Sequence, residues 1–220
     1  MKYGMMLAIL VSFAGCESAP KPIETKQVER PTKYKPLLNK FKTLNFDTLH
    51  VYSSYEQQYE YSGVALDSQS IKLLPWPLSE NRFQEGSMGV FAIGQFEIDS
   101  NKVGLIARTP GDYEETSIKL LLLDKARDTI SESIELGESW GDAGDIATKD
   151  AWLYKTKDRK WQAYIWMMNA HDNSVDDPKD TTVVEEHFYY LVDFSNKSFD
   201  TISTGENASR SFKHLHKATR

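Results

Sequence analysis

From residue 37 onward the apolar residues of this chain come in alternation or in short unbroken runs, and the three-to-four-residue spacing of an amphipathic helix is scarce. Chains with that pattern fold as sheet. Residues 41–55 alternate in part. Residues 88–98 run into a turn cluster at Asp99-Ser100-Asn101-Lys102, and a further apolar stretch follows at 103–107. The run 118–123 (IKLLLL) predicts a strand buried on both faces. A polar hairpin connection at 155–160 separates apolar stretches at 152–154 and 161–168, and 187–194 (HFYYLVDF) is rich in aromatic and β-branched residues. Helix is admitted only in 206–220, which lacks proline and is rich in Lys and Arg; a short helix or a frayed end fits there. The expected class is all-β, with antiparallel sheets in one domain over 37–220.

A hairpin pattern recurs inside that domain. Residues 121–131 (LLLDKARDTIS) align with 190–203 (YLVDFSNKSFDTIS): an apolar strand, an aspartate, a short polar turn, then Asp-Thr-Ile-Ser. Residues 64–72 (VALDSQSIK) form a third, shorter copy. The aspartate suits a turn because its carboxylate can accept from its own backbone two residues on. Such hairpins resemble the outer strands of β-propeller blades, which implies blade-like units. An antiparallel meander in a sandwich-like arrangement generates the same signature, so both architectures stand.

The N-terminus carries an address. Lys2 precedes an apolar run over 5–14 (MMLAILVSFA), about half of the ~20 residues a membrane-spanning helix needs. Phe13-Ala14-Gly15-Cys16 then resembles the lipobox of bacterial lipoproteins, with Phe13 where the family usually has Leu or another aliphatic residue. The resemblance implies a signal peptide over 1–15, removed by a dedicated peptidase, and a diacylglycerol or palmitate-bearing Cys16 as the first mature residue. Glu17 is not the aspartate that retains some lipoproteins at the inner membrane, so a cell-envelope location at the outer membrane is placed ahead of the inner one. Residues 16–36, with Pro20, Pro22, Pro31 and Pro36 and almost no apolar side chains, read as a flexible tether.

Charge narrows the partners. The chain carries 26 Lys and Arg against 32 Asp and Glu, net −6, and residues 37–209 hold 16 against 29, a balance of −13. Nothing here suits a polyanionic nucleic acid, and a domain this acidic is expected to be repelled by anionic lipid. The single cysteine rules out an internal disulfide framework and multi-cysteine metal sites. There is no G-x-S-x-G, phosphate loop or H-E-x-x-H string; Gly86-Ser87-Met88-Gly89 falls one residue short of the first.

Candidate site residues come from loops. Trp140 sits in a Gly- and Asp-rich segment with Asp142 and Asp145, where no core is expected, and these three are nominated for binding. The remaining aromatics of that region, Trp152, Tyr154, Trp161, Tyr164 and Trp166, are expected mostly in the core, with Trp152 and Tyr154 on one face and Tyr164 and Trp166 likewise. No cofactor is expected; calcium at Asp172, Ser174 and Asp176 is the lesser alternative, since Asp177 stands where a calcium loop needs Gly and Val183 where it needs Glu. His214 and His216 could share a strand face, but two histidines in a basic tail suffice to explain them. The chain is expected to be a lipid-anchored, non-enzymatic β-domain binding an envelope protein or a glycan. The alternatives are an envelope hydrolase using Glu138, Asp142 and Asp145 as acid/base groups, and a purely structural envelope component.

Overall fold

A computed structural model describes residues 32–54, 60–80, 89–111, 117–196 and 198–212. Cys16, the expected signal peptide, most of the tether and His214 and His216 lie outside the described residues. In order, the elements are α1 (Lys35–Leu38), β1 (Lys42–Thr43), β2 (Thr48–Tyr52), β3 (Val64–Ala65), α2 (Ser68–Ile71), β4 (Phe91–Asp99), β5 (Lys102–Thr109), β6 (Ser117–Asp124), β7 (Thr129–Asp142), β8 (Asp145–Lys155), β9 (Trp161–Asp172), β10 (Val183–Asp193), β11 (Asp200–Thr204) and α3 (Gly205–Phe212). The all-β expectation holds. Strands β4 to β11 are neighbours in chain order, β1 adds in parallel to β4, β3 pairs with β4 and β2 with β8.

The 14-residue β7 makes two layers from one sheet. Its first part pairs with β6 as far as Gly137, and residues Glu138–Asp142 then pair with β8. At the change-over a Cβ on Gly137 would stand 3.1–3.2 Å from the backbone of Tyr52 and Ser53, so glycine lets β2 close in. The two layers enclose a shared core: Phe96, Ile106, Ile118, Leu120 and Leu136 from the first meet Val51, Leu153, Trp161, Ile165 and Phe194 from the second. The first part of β7 pairs with β6 and its last part with β8, so the hairpins at 121–131 and 190–203 lie along one open path of strands.

The run 118–123 is buried on both faces for a stated reason. Ile118, Leu120 and Leu122 enter the shared core, whereas Leu121 and Leu123 enter a second cluster with Tyr34, Leu37, Ile71, Leu74 and Leu78 beneath α1 and α2. Two aspartates of the repeat do close hairpins: Asp124 Oδ1 accepts from Ala126 N and Arg127 N, each at 2.9 Å, and Asp193 Oδ1 from Ser195 N at 2.8 Å. The third copy departs. Asp67 Oδ1 accepts from Ser70 N at 2.8 Å and caps α2, so an identical side-chain bond starts a helix there.

The tether boundary also moves. Tyr34 and Leu37 are buried, Thr32 Oγ1 donates to Asp128, and Ile130 N donates to Tyr34 Oη at 3.2 Å. Residues 32–36, expected in the tether, therefore belong with the folded unit. A single tyrosine in a polar, proline-bearing stretch supplied the anchoring that composition alone conceals. Among the described residues no helix is long and apolar enough to cross a membrane.

Candidate functional site

Strands β8, β9 and β10 outrun the first layer, and their far halves carry three cross-strand rows on the face that continues from the shared core. The rows are Glu138–Lys149–Met167–Phe188, Trp140–Ala147–Asn169–Glu186 and Asp142–Asp145–His171–Val184. Opposed side chains in such rows stand about 5 Å apart. Trp140, Met167 and Phe188 are half-buried; Asp142, Asp145, Asn169 and Glu186 are exposed. The three nominated residues thus share one face, at and beside one hairpin tip.

That tip is a two-residue turn, Ala143-Gly144, with φ of 48° and 91°. A Cβ on Gly144 would meet Val175 Cγ2 at 2.7 Å, so the glycine admits the β9–β10 loop. Asp172 N donates to Gly144 O at 2.9 Å. His171 completes the junction, its Nδ1 2.7 Å from Asp145 Oδ1 and its Nε2 3.0 Å from Asp176 Oδ2. The two carboxylate bonds, Asp145's first, favour the imidazolium and raise the His171 pKa above its ordinary value. The acidic loops that the sequence offered as separate candidates are therefore one structure.

The residues of the calcium alternative have protein partners in this arrangement. Asp172 Oδ1 accepts from Ser174 N at 2.9 Å to start the 3-10 turn Asn173–Val175, and Asp176 turns to His171. Among the described residues no group of three His, Cys, Asp or Glu side chains could hold a metal ion.

Where the overhang meets the core, a charged group closes the gap. Glu135 Oε1 accepts from Ser117 Oγ at 2.5 Å and Lys119 Nζ at 3.0 Å; Lys149 binds the other oxygen of Glu135 and lies 3.6 Å from Glu138. Burial pushes the Glu135 carboxyl up, but the two ammonium groups and the Ser117 hydroxyl outweigh it and hold its pKa at about 2. Glu138, nominated as an acid/base group, is tied into this network. No motif flagged it: Ser117, Lys119, Glu135 and Lys149 come from three strands and meet only through register.

The opposite face of the second layer takes most of the other aromatics. Trp152 and Tyr164 are buried there with Ala208 of α3, and Tyr154, Trp166, Tyr189 and Phe212 pack around them. Helix α3 thus lies on the face that could have offered a broad platform. At its edge His50 Nε2 is 2.9 Å from Asp150 Oδ2 and its ring stacks on Trp152 at 4.6 Å. Core packing of these rings agrees with the sequence expectation, Trp161 included. No protein family, curated protein or solved structure matches the chain.

Proposed function

We propose that the chain is a lipid-anchored, non-enzymatic binding domain of a bacterial envelope that holds a glycan on the overhanging face of β7 to β10. One observation carries the reading: a half-buried Trp140 shares one sheet face with Asp142 and Asp145 in the next row and with Asn169 and Glu186 further along its own. An indole face stacks on a sugar ring, and carboxylate and amide oxygens accept from its hydroxyls. Acid/base catalysis is disfavoured because a general acid needs a raised pKa. Of the residues such a reading would use, Glu138 is paired with Lys149 at 3.6 Å.

Two measurements check this. On an array of soluble oligosaccharides the protein is expected to retain one class, and Trp140→Ala should weaken that binding by roughly tenfold or more. Retention of no class, or retention indifferent to Trp140→Ala, overturns the glycan assignment; capture by an envelope protein through the same tryptophan would transfer the site to a protein ligand. The anchor is tested separately: Cys16→Ser is expected to leave the membrane fraction, or to accumulate with residues 1–15 uncleaved. A variant that stays membrane-bound and fully processed refutes lipidation at Cys16.

A further inference from the structure

The layer over the first sheet displays a side chain for which folding has no use. Trp76 is 78% exposed, although Leu74 and Leu78 on either side of it are buried in the cluster beneath α1 and α2. Pro75 and Pro77 flank the indole, fixing two of the backbone dihedrals around it, so the ring is held out on a stiff turn. The segment that shares the buried cluster with its neighbours Leu74 and Leu78 is basic. Residues 32–42 contain Lys33, Lys35, Lys40 and Lys42 and no acid, all four exposed, and Lys72 at the end of α2 is exposed as well. Lys40 is paired with Asp67 at 3.5 Å, and Lys33 Nζ sits 4.9 Å over the Tyr34 ring. Among the described residues, Asp67 is paired with Lys40, and Asp128 accepts from Thr32 Oγ1 and from Lys33 N. The segment 32–42 is thus basic within a domain whose residues 37–209 balance at −13.

We propose that this layer seats the domain on an anionic lipid surface, with Trp76 at head-group depth and the lysines toward the phosphates. Trp with its apolar body and N–H tip is suited to that depth, and Lys side chains are drawn to the phosphates of such a surface. The direction of the chain argues for lipid over another occupant. Thr32 and Lys33 are fixed to the β6–β7 turn and Tyr34 is buried in this same layer, so the segment leading back to Cys16 leaves from it. The choice of lipid rests on the anchor reading. An acylated Cys16 on a tether of about 15 residues would hold the patch near the bilayer at an effective concentration on the order of millimolar, enough to populate a contact too weak to form on its own. The remaining, acidic surface is then turned away from the lipid, and the repulsion expected from overall charge becomes an orienting force.

The test uses the full chain and vesicles containing about one-third phosphatidylglycerol with bromine-labelled acyl chains, which quench only indoles at membrane depth. Tryptophan emission is expected to be quenched on these vesicles. The quenched part should vanish in Trp76→Phe and fall at least twofold when Lys33, Lys35, Lys42 and Lys72 are together changed to Gln. Salt of about 0.5 M should do the same through screening. Equal quenching in the parent and Trp76→Phe, or equal quenching on neutral vesicles, overturns the proposal. Co-sedimentation read in the same samples separates the two ideas. Bound protein with no Trp76-dependent quenching leaves the anchor standing and removes the patch; Cys16→Ser that keeps the quenching in vitro but stays processed and membrane-bound in cells does the reverse.

Discussion

Trp161→Ala is expected to cost about 3–5 kcal/mol and to lower the melting temperature by roughly 6–20 °C. The indole is the joint between the two layers. Its ring lies 5.0 Å from Phe96 and 5.5 Å from Phe46, and 6.2 Å from Phe194 of the second layer. It also spends both of its N–H groups across elements: Nε1 donates to Ile98 O at 3.2 Å and the backbone N to Ser195 Oγ at 2.7 Å. Truncation leaves a cavity among rings that cannot all collapse into it, and strands the Ile98 carbonyl. Trp161→Phe keeps most of the packing and loses that bond, so about 1–2 kcal/mol is expected. Trp76→Ala provides the contrast, since a residue 78% exposed should change stability by no more than about 0.5 kcal/mol. Thermal unfolding by circular dichroism decides. If Trp161→Ala melts within a degree or two of the parent, the two layers do not share one core.

Much of this architecture was legible as period and punctuation. The two-sided burial of 118–123 follows from a run of apolar residues too short for a helix, and the structure places alternate members in two different cores. The aspartates at 124 and 193 were readable as turn residues because their bonds are local, made within two or three positions. Asp67 uses the same local bond, yet whether it ends in a hairpin or opens α2 depends on what the next turn packs against, here Leu74 and Leu78. Trp140, Asp142 and Asp145 were findable from composition because glycine-rich turns carrying an aromatic are unusual. Their meeting with His171, by contrast, required the β8–β9 register. Trp76 carried a signal that composition counts dissolve: a tryptophan between two prolines has nowhere to be buried by regular structure. The docking of Tyr34 left no local trace, since Ile130, whose N–H donates to its hydroxyl, lies ninety-six residues away, and Asp128 lies as far from its own partner Thr32.

The charged group at Glu135 contributes to the acid sensitivity of the fold. Its pKa falls from an ordinary 4.5 to about 2 on folding, so the protein binds its proton less readily than the unfolded chain does. A depressed carboxylate contributes stability that is fully present above pH 4.5 and is lost as pH falls from there toward 2. The shift corresponds to a contribution on the order of 3 kcal/mol at neutral pH. Glu135→Gln should remove it while keeping the shape and an acceptor for Ser117. The variant leaves Lys119 and Lys149 crowded together with only Glu138 to answer them, and a half-buried charge deprived of its partner is costlier than an exposed one. At pH 7 the expected loss is therefore about 2–3 kcal/mol. Near pH 2 the parent glutamate is half protonated and most of its contribution is gone, so the two proteins should nearly converge. Urea denaturation at a series of pH values measures the gap directly. A gap that is constant from pH 7 to pH 2 would mean that Glu135 acts through packing alone, and that the lysines do not hold it ionised.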